Sequence, residues 1–370
     1  IPIEPYFAHE AGYAEQEPDV YFDALCRATR GLFDAGIDPR RVAGVAVTTQ
    51  RGTVIAVDHE GRPLRPALTW LDQREATRLP PLPAHLALVF RAIGEAETVA
   101  HLRRQAEVNW IAYHEPEVWA RTAKVILLSG YHVHRLTGRF ADSIGSQVAY
   151  LPFDYKRQRW CAPWEWQWQA MAVRRRQLPD LVKPGTRIGA IHAEAARRTR
   201  IPEGTPVFAA GADKACEVLG SGCLSPEIGC ISYGTTATIN AASPRYIEPV
   251  RLLPAYPAAV PDAFNVEVQV HRGFWMVQWF KEQFGSAEVQ AAEAAGVSAE
   301  HLFDEMIREL PPGSMGLTLQ PYWTPGIRTP GREAKGAIIG FGDVHTRAHF
   351  YRAILEGLAY GLRDGAERIE

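Results

Sequence analysis

The sequence predicts an α/β protein with two domains, and three observations support that prediction. The chain has 370 residues, more than one hydrophobic core usually holds. Apolar runs that suit buried strands alternate with segments whose apolar residues recur at helical spacing. A polar stretch at 201–205 (IPEGT) separates two such alternating halves, as a linker would. We therefore predict domains over 1–204 and 205–370.

The first half begins with a predicted helix over 18–36. Its apolar residues recur at helical spacing and are Tyr21, Leu25, Ala28, Leu32 and Phe33. Residues 42–49 form a nearly continuous apolar run, which is typical of a strand buried on both faces. A second strand is predicted over 54–58, before a turn at Gly61. Residues 123–136 are predicted to form one helix.

The second half is predicted to begin with strands over 206–212 and 229–240. A helix rich in Trp and Phe follows over 274–284, and acidic, Ala-rich helices follow over 287–310. The pattern then predicts an amphipathic helix over 346–369. The apolar face of that helix contains Phe350, Ile354, Leu358 and Leu362.

Composition restricts the partners and the compartment. The formal net charge is −2, and 46% of the residues are hydrophobic and 22% charged, which argues against nucleic acid or an anionic membrane as a partner. No apolar run approaches the roughly 20 residues of a membrane span. The five cysteines form no C-x-x-C pair, and their odd number fits free thiols in a reducing compartment. We therefore expect a cytoplasmic protein.

The segment 206–240 carries most of the chemical information. Its first predicted strand ends at Asp213, and a carboxylate there can accept a proton from a substrate hydroxyl. Its second strand carries Gly234, Thr235 and Thr236, a turn that can offer N–H groups and hydroxyls to a phosphate. Two ordinary structural explanations stay open, namely a helix N-cap or turn aspartate and a plain β-hairpin turn.

Several segments together resemble the FGGY carbohydrate kinases, the family of glycerol kinase and xylulokinase. In chain order they are GYAEQEP at 12–18, VAVTTQRGT at 45–53, LTWLDQR at 68–74, LTG at 136–138 with Asp142 and FD at 153–154, GADKACEVLG at 211–220, YGTT at 233–236 and RAILEG at 352–357. The resemblance implies two actin-like (ribonuclease-H-like) ATPase domains with an interdomain cleft. It also implies ATP- and Mg²⁺-dependent phosphorylation of a hydroxyl on a sugar or polyol, its small-molecule partner.

The resemblance also implies roles for individual residues. Asp213 would be the general base and would also contact the substrate. The substrate would be contacted as well by Gln50, Arg51, Trp70 and Lys214. The nucleotide would be held by Gly234, Thr235, Thr236, Gly273 and Gln278. No metal ligand is assigned. The ordinary alternatives are a polar turn for Gln50 and Arg51 and core packing for Trp70, and Asp72 and Arg74 are expected to form a bracing ion pair.

Two positions depart from the family pattern. Gly52 stands where glycerol kinase-like chains have a glutamate, so glycerol is not expected as the substrate. Lys214 replaces the Gln or Asn that commonly follows the catalytic aspartate, and it could contact an acidic substrate group.

Two segments of the family are missing from this sequence. The D-x-G-T segment would precede Ile1, and the G-G-G-x-S segment would follow near Glu370. We therefore expect the first domain to be incomplete at its start and the second at its end. Residues 1–370 alone are expected to be inactive and poorly stable.

Other functions and assemblies also fit the sequence. A non-catalytic sugar- or nucleotide-binding protein of the same fold is the main alternative, and a chaperone or filament ATPase of the actin fold is the second. A tryptophan cluster could stack on sugar faces, pack a surface loop or form a homodimer contact. Its members are Trp160, Trp164, Trp166 and Trp168.

Overall fold

The computed structural model describes residues 1–249, 253–324, 331 and 334–369. The chain divides into two compact units. The first contains Ile1–Gly222 and Tyr256–Phe264, and the second contains Cys223–Ala255 and Asn265–Glu370. The first unit thus continues past residue 204, because the strand Pro206–Phe208 pairs with strands inside it.

The first unit interleaves helices with short strands. Its helices are α1 (Pro18–Asp34), α2 (Ala84–Ala92), α3 (Ala96–Gln105), α4 (Glu107–His114), α5 (Pro116–Arg121), α6 (Leu128–Thr137), α7 (Gln167–Ala170), α8 (Ala193–Thr199) and α9 (Asp213–Gly220). Its strands are β1 (Glu15–Gln16), β2 (Val45–Ala46), β3 (Val54–Val57), β4 (Ala67–Leu68), β5 (Lys124–Leu127), β6 (Ala141–Ser143), β7 (Phe153–Asp154), β8 (Arg159–Trp160), β9 (Asp180–Val182), β10 (Arg187–Ala190) and β11 (Pro206–Phe208).

Two sheets organise this unit. One has the strand order β1-β4-β3-β5 and is antiparallel throughout. The other has the order β10-β11-β2, and in it β11 runs parallel to β2 with Val207 opposite Val45. Because parallel strands end at the same edge of a sheet, the segments after β2 and β11 leave the sheet side by side.

The core of the first unit lies between these sheets and helices α1, α6 and α8. Phe22 of α1, Ile55 of β3, Tyr131 of α6 and Val207 of β11 belong to one buried cluster. A second buried cluster joins the start of α4 to β5 and the segment around Phe153. Burial of these side chains fixes α6 against β2 and β11, which carry the candidate site, and the start of α4 against β3 and β5.

The second unit has its own core. Its helices are α10 (Trp275–Phe284), α11 (Ser286–Ala295), α12 (Ala299–Ile307) and α13 (Arg347–Ile369). Its strands are β12 (Gly229–Tyr233), β13 (Ala237–Ser243), β15 (Phe264–Val270), β16 (Thr318–Gln320) and β17 (Ala337–Ile339), whereas β14 (Tyr256–Pro257) lies in the first unit. Strands β12, β13 and β15 are neighbours in that order. Helix α13 packs its apolar face on Phe280 and Phe303.

Most predicted elements are confirmed with small shifts of their ends. The helices over 18–36, 274–284, 287–310 and 346–369 are present as α1, α10, α11 with α12, and α13. The strand over 54–58 is β3. None of the helices that the structure describes is long and apolar enough to cross a membrane.

Three local predictions are corrected. Residues 123–136 do not form one helix, because Lys124–Leu127 pairs with β3 as strand β5 and the helix begins only at Leu128. The strand predicted over 42–49 shrinks to β2, where Val45 is half-buried and Ala46 exposed. The segment 229–240 is two strands, since the chain turns back after Tyr233 and pairs with itself.

Candidate active site

The candidate site of the first unit lies where the segments after β2 and β11 leave the sheet. The Asp213 backbone N–H donates a hydrogen bond of 2.9 Å to the Thr49 carbonyl. Asp213 is exposed and is the first residue of α9, and the Lys214 N–H donates to its Oδ1 at 2.7 Å. The structure therefore brings Asp213 next to the turn that contains Gln50 and Arg51.

A third segment supports this edge through two glycines. The Ala212 N–H donates to the Gly145 carbonyl at 2.9 Å. A Cβ atom on Gly145 would lie 3.1 Å from the Gly211 Cα atom, and one on Gly211 would lie 2.9 Å from the Ala259 Cβ atom. Larger residues at these two positions would push the Asp213 segment away, so glycine is needed for the close approach.

The side chains of the Gln50–Arg51 turn have partners inside the first unit. The Gln50 amide donates to the Thr53 hydroxyl at 3.0 Å and to the Tyr21 hydroxyl at 3.3 Å. The Arg51 guanidinium lies 5.2 Å from the centre of the Tyr256 ring, a cation–π contact. These contacts orient both side chains at the edge where Asp213 lies.

Trp70 lies beside the same turn. A Cβ atom on Gly52 would be 3.6 Å from the Trp70 Cβ atom. The Trp70 residue is 60% exposed, so its indole face is available to a ligand. Gly52 has a φ of +66°, the left-handed region, so a glutamate at this position would be strained.

The predicted ion pair between Asp72 and Arg74 is present and buried. Its N–O distance is 2.7 Å, and each side chain is only 3% exposed. The Ala14 N–H donates to Asp72 Oδ2 at 2.7 Å, and Arg74 also pairs with Glu15 at 2.9 Å. The pair thus joins the 12–18 segment to the loop that carries Trp70.

Lys214 turns toward its own helix. Its Nζ atom lies 2.6 Å from Glu217 Oε2, one helical turn further along α9. This ion pair competes with the contact to an acidic substrate group that the sequence suggested.

The predicted nucleotide residues lie in the second unit, around the turn between β12 and β13. Gly234 and Thr235 are exposed at this turn. The Phe274 N–H donates to the Gly234 carbonyl at 3.1 Å, and the Thr236 hydroxyl donates to the His271 carbonyl at 3.1 Å. The segment before α10 is therefore fastened to the turn.

Gly273 and Gln278 differ in their relation to this turn. A Cβ atom on Gly273 would lie 2.2 Å from the Ala237 nitrogen, so only glycine fits against the turn. Gln278 is exposed on α10, and its amide donates to Glu282 at 2.6 Å. The structure brings Gly273 to Gly234 through the Phe274 hydrogen bond, while Gln278 contacts a neighbour on its own helix.

The residues at the turn are compatible with a bound polyphosphate. Small exposed residues and exposed backbone let a phosphate approach the main chain closely. Within the described ranges there is no group of three or more His, Cys, Asp or Glu side chains that could hold a metal ion by itself.

The tryptophan cluster is mainly a packing feature. Trp160 is buried and donates to the Pro179 carbonyl at 2.8 Å, and Trp168 donates to the Ala162 carbonyl at 3.0 Å. Trp166 contacts Phe90 edge to face, with ring centres 5.0 Å apart. Trp164 is 80% exposed.

The sequence prediction missed a group of polar residues near the Gln50–Arg51 turn. They are Glu107, Tyr150, Tyr155 and Tyr256. Burial raises the pKa of Glu107 to about 8, and the Asp72 carboxylate adds to the effect. Burial raises the pKa of Tyr150 to about 12, with Glu107 and Tyr256 as further causes. The available signal for Glu107 was a carboxylate between two apolar residues, Ala106 and Val108.

Comparison with protein families assigns both halves of the chain. Residues 1–220 match the N-terminal domain of the FGGY family of carbohydrate kinases, and residues 229–370 match the C-terminal domain of that family. Together these matches cover most of the chain.

Individual relatives agree with the family match. The xylulose kinase of Lactococcus lactis subsp. lactis (strain IL1403) is 31% identical over 363 residues, which are 97% of this chain and 69% of the relative. The crystal structure of the xylulose kinase from Rhodospirillum rubrum superposes with a TM-score of 0.79 at 24% identity, over 98% of this chain and 72% of that one. The gluconate kinase from Lactobacillus acidophilus superposes with a TM-score of 0.79 at 19% identity, over 98% and 71%.

These likenesses confirm the α/β fold with two actin-like domains that the sequence predicted. The prediction of a carbohydrate kinase is confirmed as well. The chain belongs to the FGGY family of carbohydrate kinases.

Proposed function

We propose that the protein transfers the terminal phosphoryl group of ATP to a hydroxyl of a sugar, and that a ketopentose such as xylulose is its preferred acceptor. The observation that carries the proposal is the hydrogen bond from Asp213 N–H to the Thr49 carbonyl, because it sets a carboxylate beside the Gln50–Arg51 turn. The 31% identical relative named xylulose kinase supports the choice of acceptor.

Asp213 acts in this proposal as the general base. Its exposed carboxylate accepts the proton of the acceptor hydroxyl as that oxygen becomes nucleophilic. Trp70 offers a flat apolar surface to the C–H groups of the sugar, and Gln50 and Arg51 offer hydrogen-bond donors to its hydroxyls. Because these groups are held by backbone and ring contacts, they position the acceptor before reaction.

The turn at Gly234, Thr235 and Thr236 would hold the phosphates of ATP, and Gly273 would keep the neighbouring segment close to it. When bound, ATP supplies the phosphoryl group and Mg²⁺ neutralises charge on its phosphates. Gln278 is exposed on α10 and would contact the nucleotide further from the turn.

The acceptor is proposed to be larger than glycerol. At Gly52 the chain lacks the carboxylate that glycerol kinase-like chains are expected to use, and the positive φ there disfavours a side chain. The Lys214–Glu217 ion pair supports a neutral acceptor over an acidic one.

We further propose that the enzyme works in the reducing cytoplasm. The support is that its cysteines are free thiols and that most of them are buried. They are Cys26, Cys161, Cys216, Cys223 and Cys230.

The test uses protein expressed from its complete reading frame, with Mg·ATP and a panel of D-xylulose, D-ribulose, D-gluconate and glycerol. D-Xylulose is expected to give the highest kcat/KM. The Asp213→Asn variant is expected to lose about 10²–10⁴-fold in kcat, because it lacks a base, while it still binds the sugar.

The matched control is Asp34→Asn, which changes an exposed carboxylate at the end of α1 and should keep full turnover. Unchanged kcat in Asp213→Asn would remove Asp213 from the mechanism. Sugar binding without any turnover by the unaltered protein would instead favour the non-catalytic binding protein.

A further inference from the structure

Glu107 is the first residue of α4, and its carboxylate is incompletely satisfied. The residue as a whole is half-buried, but its Oε2 atom is buried and has no hydrogen-bond partner within the described part of the chain. The Glu107 backbone N–H donates to its own carboxylate. Ala106 and Val108 on either side are fully buried, so the start of α4 is held firmly in place.

The neighbours of Glu107 connect it to the proposed sugar site. Tyr150 lies within electrostatic reach of Glu107, two residues after Val148. The Gly52 N–H donates to the Val148 carbonyl at 3.1 Å, so this segment is fastened to the Gln50–Arg51 turn. Glu107 is therefore connected to the Gln50–Arg51 turn through Tyr150 and the segment that Gly52 binds.

Asp72, the other carboxylate near Glu107, is already paired. It accepts the Ala14 N–H at 2.7 Å and two bonds from the Arg74 guanidinium at 2.8 and 2.7 Å. Trp110 lies one helical turn after Glu107 in α4. The centre of its ring is 4.5 Å from the Arg74 guanidinium. Asp72 and Arg74 thus lie against α4 without satisfying Glu107 Oε2.

An unpartnered buried carboxyl is unfavourable, so a ligand that supplies the missing bond is favoured. Since burial and Asp72 raise the pKa of Glu107 to about 8, the group is largely protonated at neutral pH. A protonated carboxyl both donates and accepts a hydrogen bond. A sugar hydroxyl does the same, which makes a hydroxyl the matching partner.

We propose that Glu107 is a substrate-binding residue that hydrogen-bonds one hydroxyl of the neutral sugar, a hydroxyl other than the one that Asp213 deprotonates. This inference rests on the proposed function and extends it by naming a second polar contact in the sugar site. Glu107 is thereby a determinant of which hydroxyl pattern the enzyme accepts.

The experiment measures sugar binding by calorimetry in the absence of ATP, on the protein from its complete reading frame. The probes are D-xylulose and its mono-deoxy analogues. The variants are Glu107→Leu, which removes the carboxyl at similar volume, and Glu107→Gln, which keeps one donor and one acceptor. The matched control is Glu117→Gln, at an exposed carboxylate in the first turn of the adjacent helix α5.

The unaltered protein is expected to bind one mono-deoxy analogue at least about tenfold more weakly than D-xylulose. Glu107→Leu should bind D-xylulose about tenfold more weakly and should no longer discriminate against that analogue, while discrimination against the others is kept. Glu107→Gln should restore most of the affinity, and Glu117→Gln should behave as the unaltered protein. Glu107→Leu should melt at no lower temperature, since it removes a buried unpaired group.

The outcomes separate this inference from the proposed function. If Glu107→Leu binds every probe as the unaltered protein does, Glu107 is not a substrate contact, and turnover of D-xylulose would still support the kinase. If the protein binds the probes with the expected pattern but turns over no sugar, only the proposed function is overturned. A protein that binds none of the probes overturns both.

Discussion

Two aspartates near the proposed sugar site have opposite surroundings, and these decide what each can do. Asp213 is exposed at the first turn of α9, where a substrate can reach its carboxylate. Asp72 is buried, and its oxygens are occupied by Ala14 and Arg74. A carboxylate whose oxygens are already occupied by donors has no free position for a substrate hydroxyl, so Asp213 fits the chemistry and Asp72 fits a supporting role.

The buried ion pair of Arg74 can be tested against an exposed one. Replacing Arg74 by Met leaves Asp72 buried without its cation, while Glu15 keeps its ion pair with Arg65, so Arg74→Met should lower the free energy of unfolding by about 3–5 kcal/mol. Arg62→Met is the matched control, because Arg62 pairs with Asp58 but its side chain is 73% exposed. The control should change stability by at most about 1 kcal/mol.

Urea unfolding of both variants measures the difference. An equal decrease in the free energy of unfolding in Arg74→Met and Arg62→Met would show that burial of the Arg74 ion pairs contributes nothing measurable to stability.

At the scale of elements, α13 is the main support of the second unit. Ile354 and Leu358 are fully buried, and both belong to the cluster that contains Phe280 of α10 and Phe303 of α12. A Cβ atom on Gly357 would lie 2.6 Å from the Leu319 carbonyl oxygen, so the helix also approaches β16 closely. The element that the sequence predicted most clearly is therefore also one of the most tightly packed.

Leu358→Ala should destabilise the second unit by about 2–5 kcal/mol, because it leaves a cavity at a fully buried position. Tyr360→Ala, two residues away on the same helix, is the control, since Tyr360 is 56% exposed. Chemical unfolding followed by tryptophan fluorescence would report both. A loss in Tyr360→Ala as large as that in Leu358→Ala would contradict the packing described for α13.

At the scale of the whole molecule, two buried groups affect the pH dependence of stability in opposite directions. Burial raises the pKa of Asp142 to about 7 against the hydrogen bonds from Ser129 and Gln147, which favour the charged form. Burial lowers the pKa of His132 to about 4, and the nearby Arg135 adds to the effect. His132 Nδ1 has no hydrogen-bond partner within the described ranges.

The sign of each contribution follows from linkage between protonation and folding. Asp142 binds its proton more tightly in the folded state. Its contribution to stability is therefore complete below about pH 4 and is lost as the pH rises to about 7. His132 binds its proton less tightly in the folded state. Its contribution to stability is therefore complete above about pH 6.5 and is lost as the pH falls toward 4. Between about pH 4 and 6.5, Asp142 therefore lowers stability as the pH rises, whereas His132 increases it.

Single variants should separate the pH dependence of stability that each residue causes. Relative to the unaltered protein, Asp142→Asn should gain stability as the pH rises from 5 to 7, by up to about 1.4 kcal/mol per pH unit. His132→Gln should gain stability as the pH falls from 6.5 to 5, by a similar amount.

The measurement is the free energy of unfolding in urea at several pH values, with His59→Gln at an exposed position as the control. Curves of Asp142→Asn and His132→Gln that run parallel to that of the unaltered protein would show that neither group titrates differently on folding.

Local residue patterns and the order of the motifs were enough to predict part of the fold and the family. The apolar face of α13 follows from residue spacing alone, and the segments around Gln50, Trp70, Asp213 and Gly234 indicated the family and the candidate residues. These features could be predicted because helical periodicity and turn chemistry depend only on residues that are close together in the sequence.

Other features depend on contacts between residues far apart in the chain, and these could not be predicted. Residues 125–127 carry apolar side chains that suit either a helix or a strand, and pairing of 124–127 with β3 makes them β5. Likewise, nothing near Glu107 in the sequence places it within electrostatic reach of Tyr150, and the hydrogen bond from Gly52 to Val148 joins the Tyr150 segment to a turn about a hundred residues earlier in the chain. Such pairings join segments far apart in the chain, so their energy is set by packing and burial that local residue patterns do not contain.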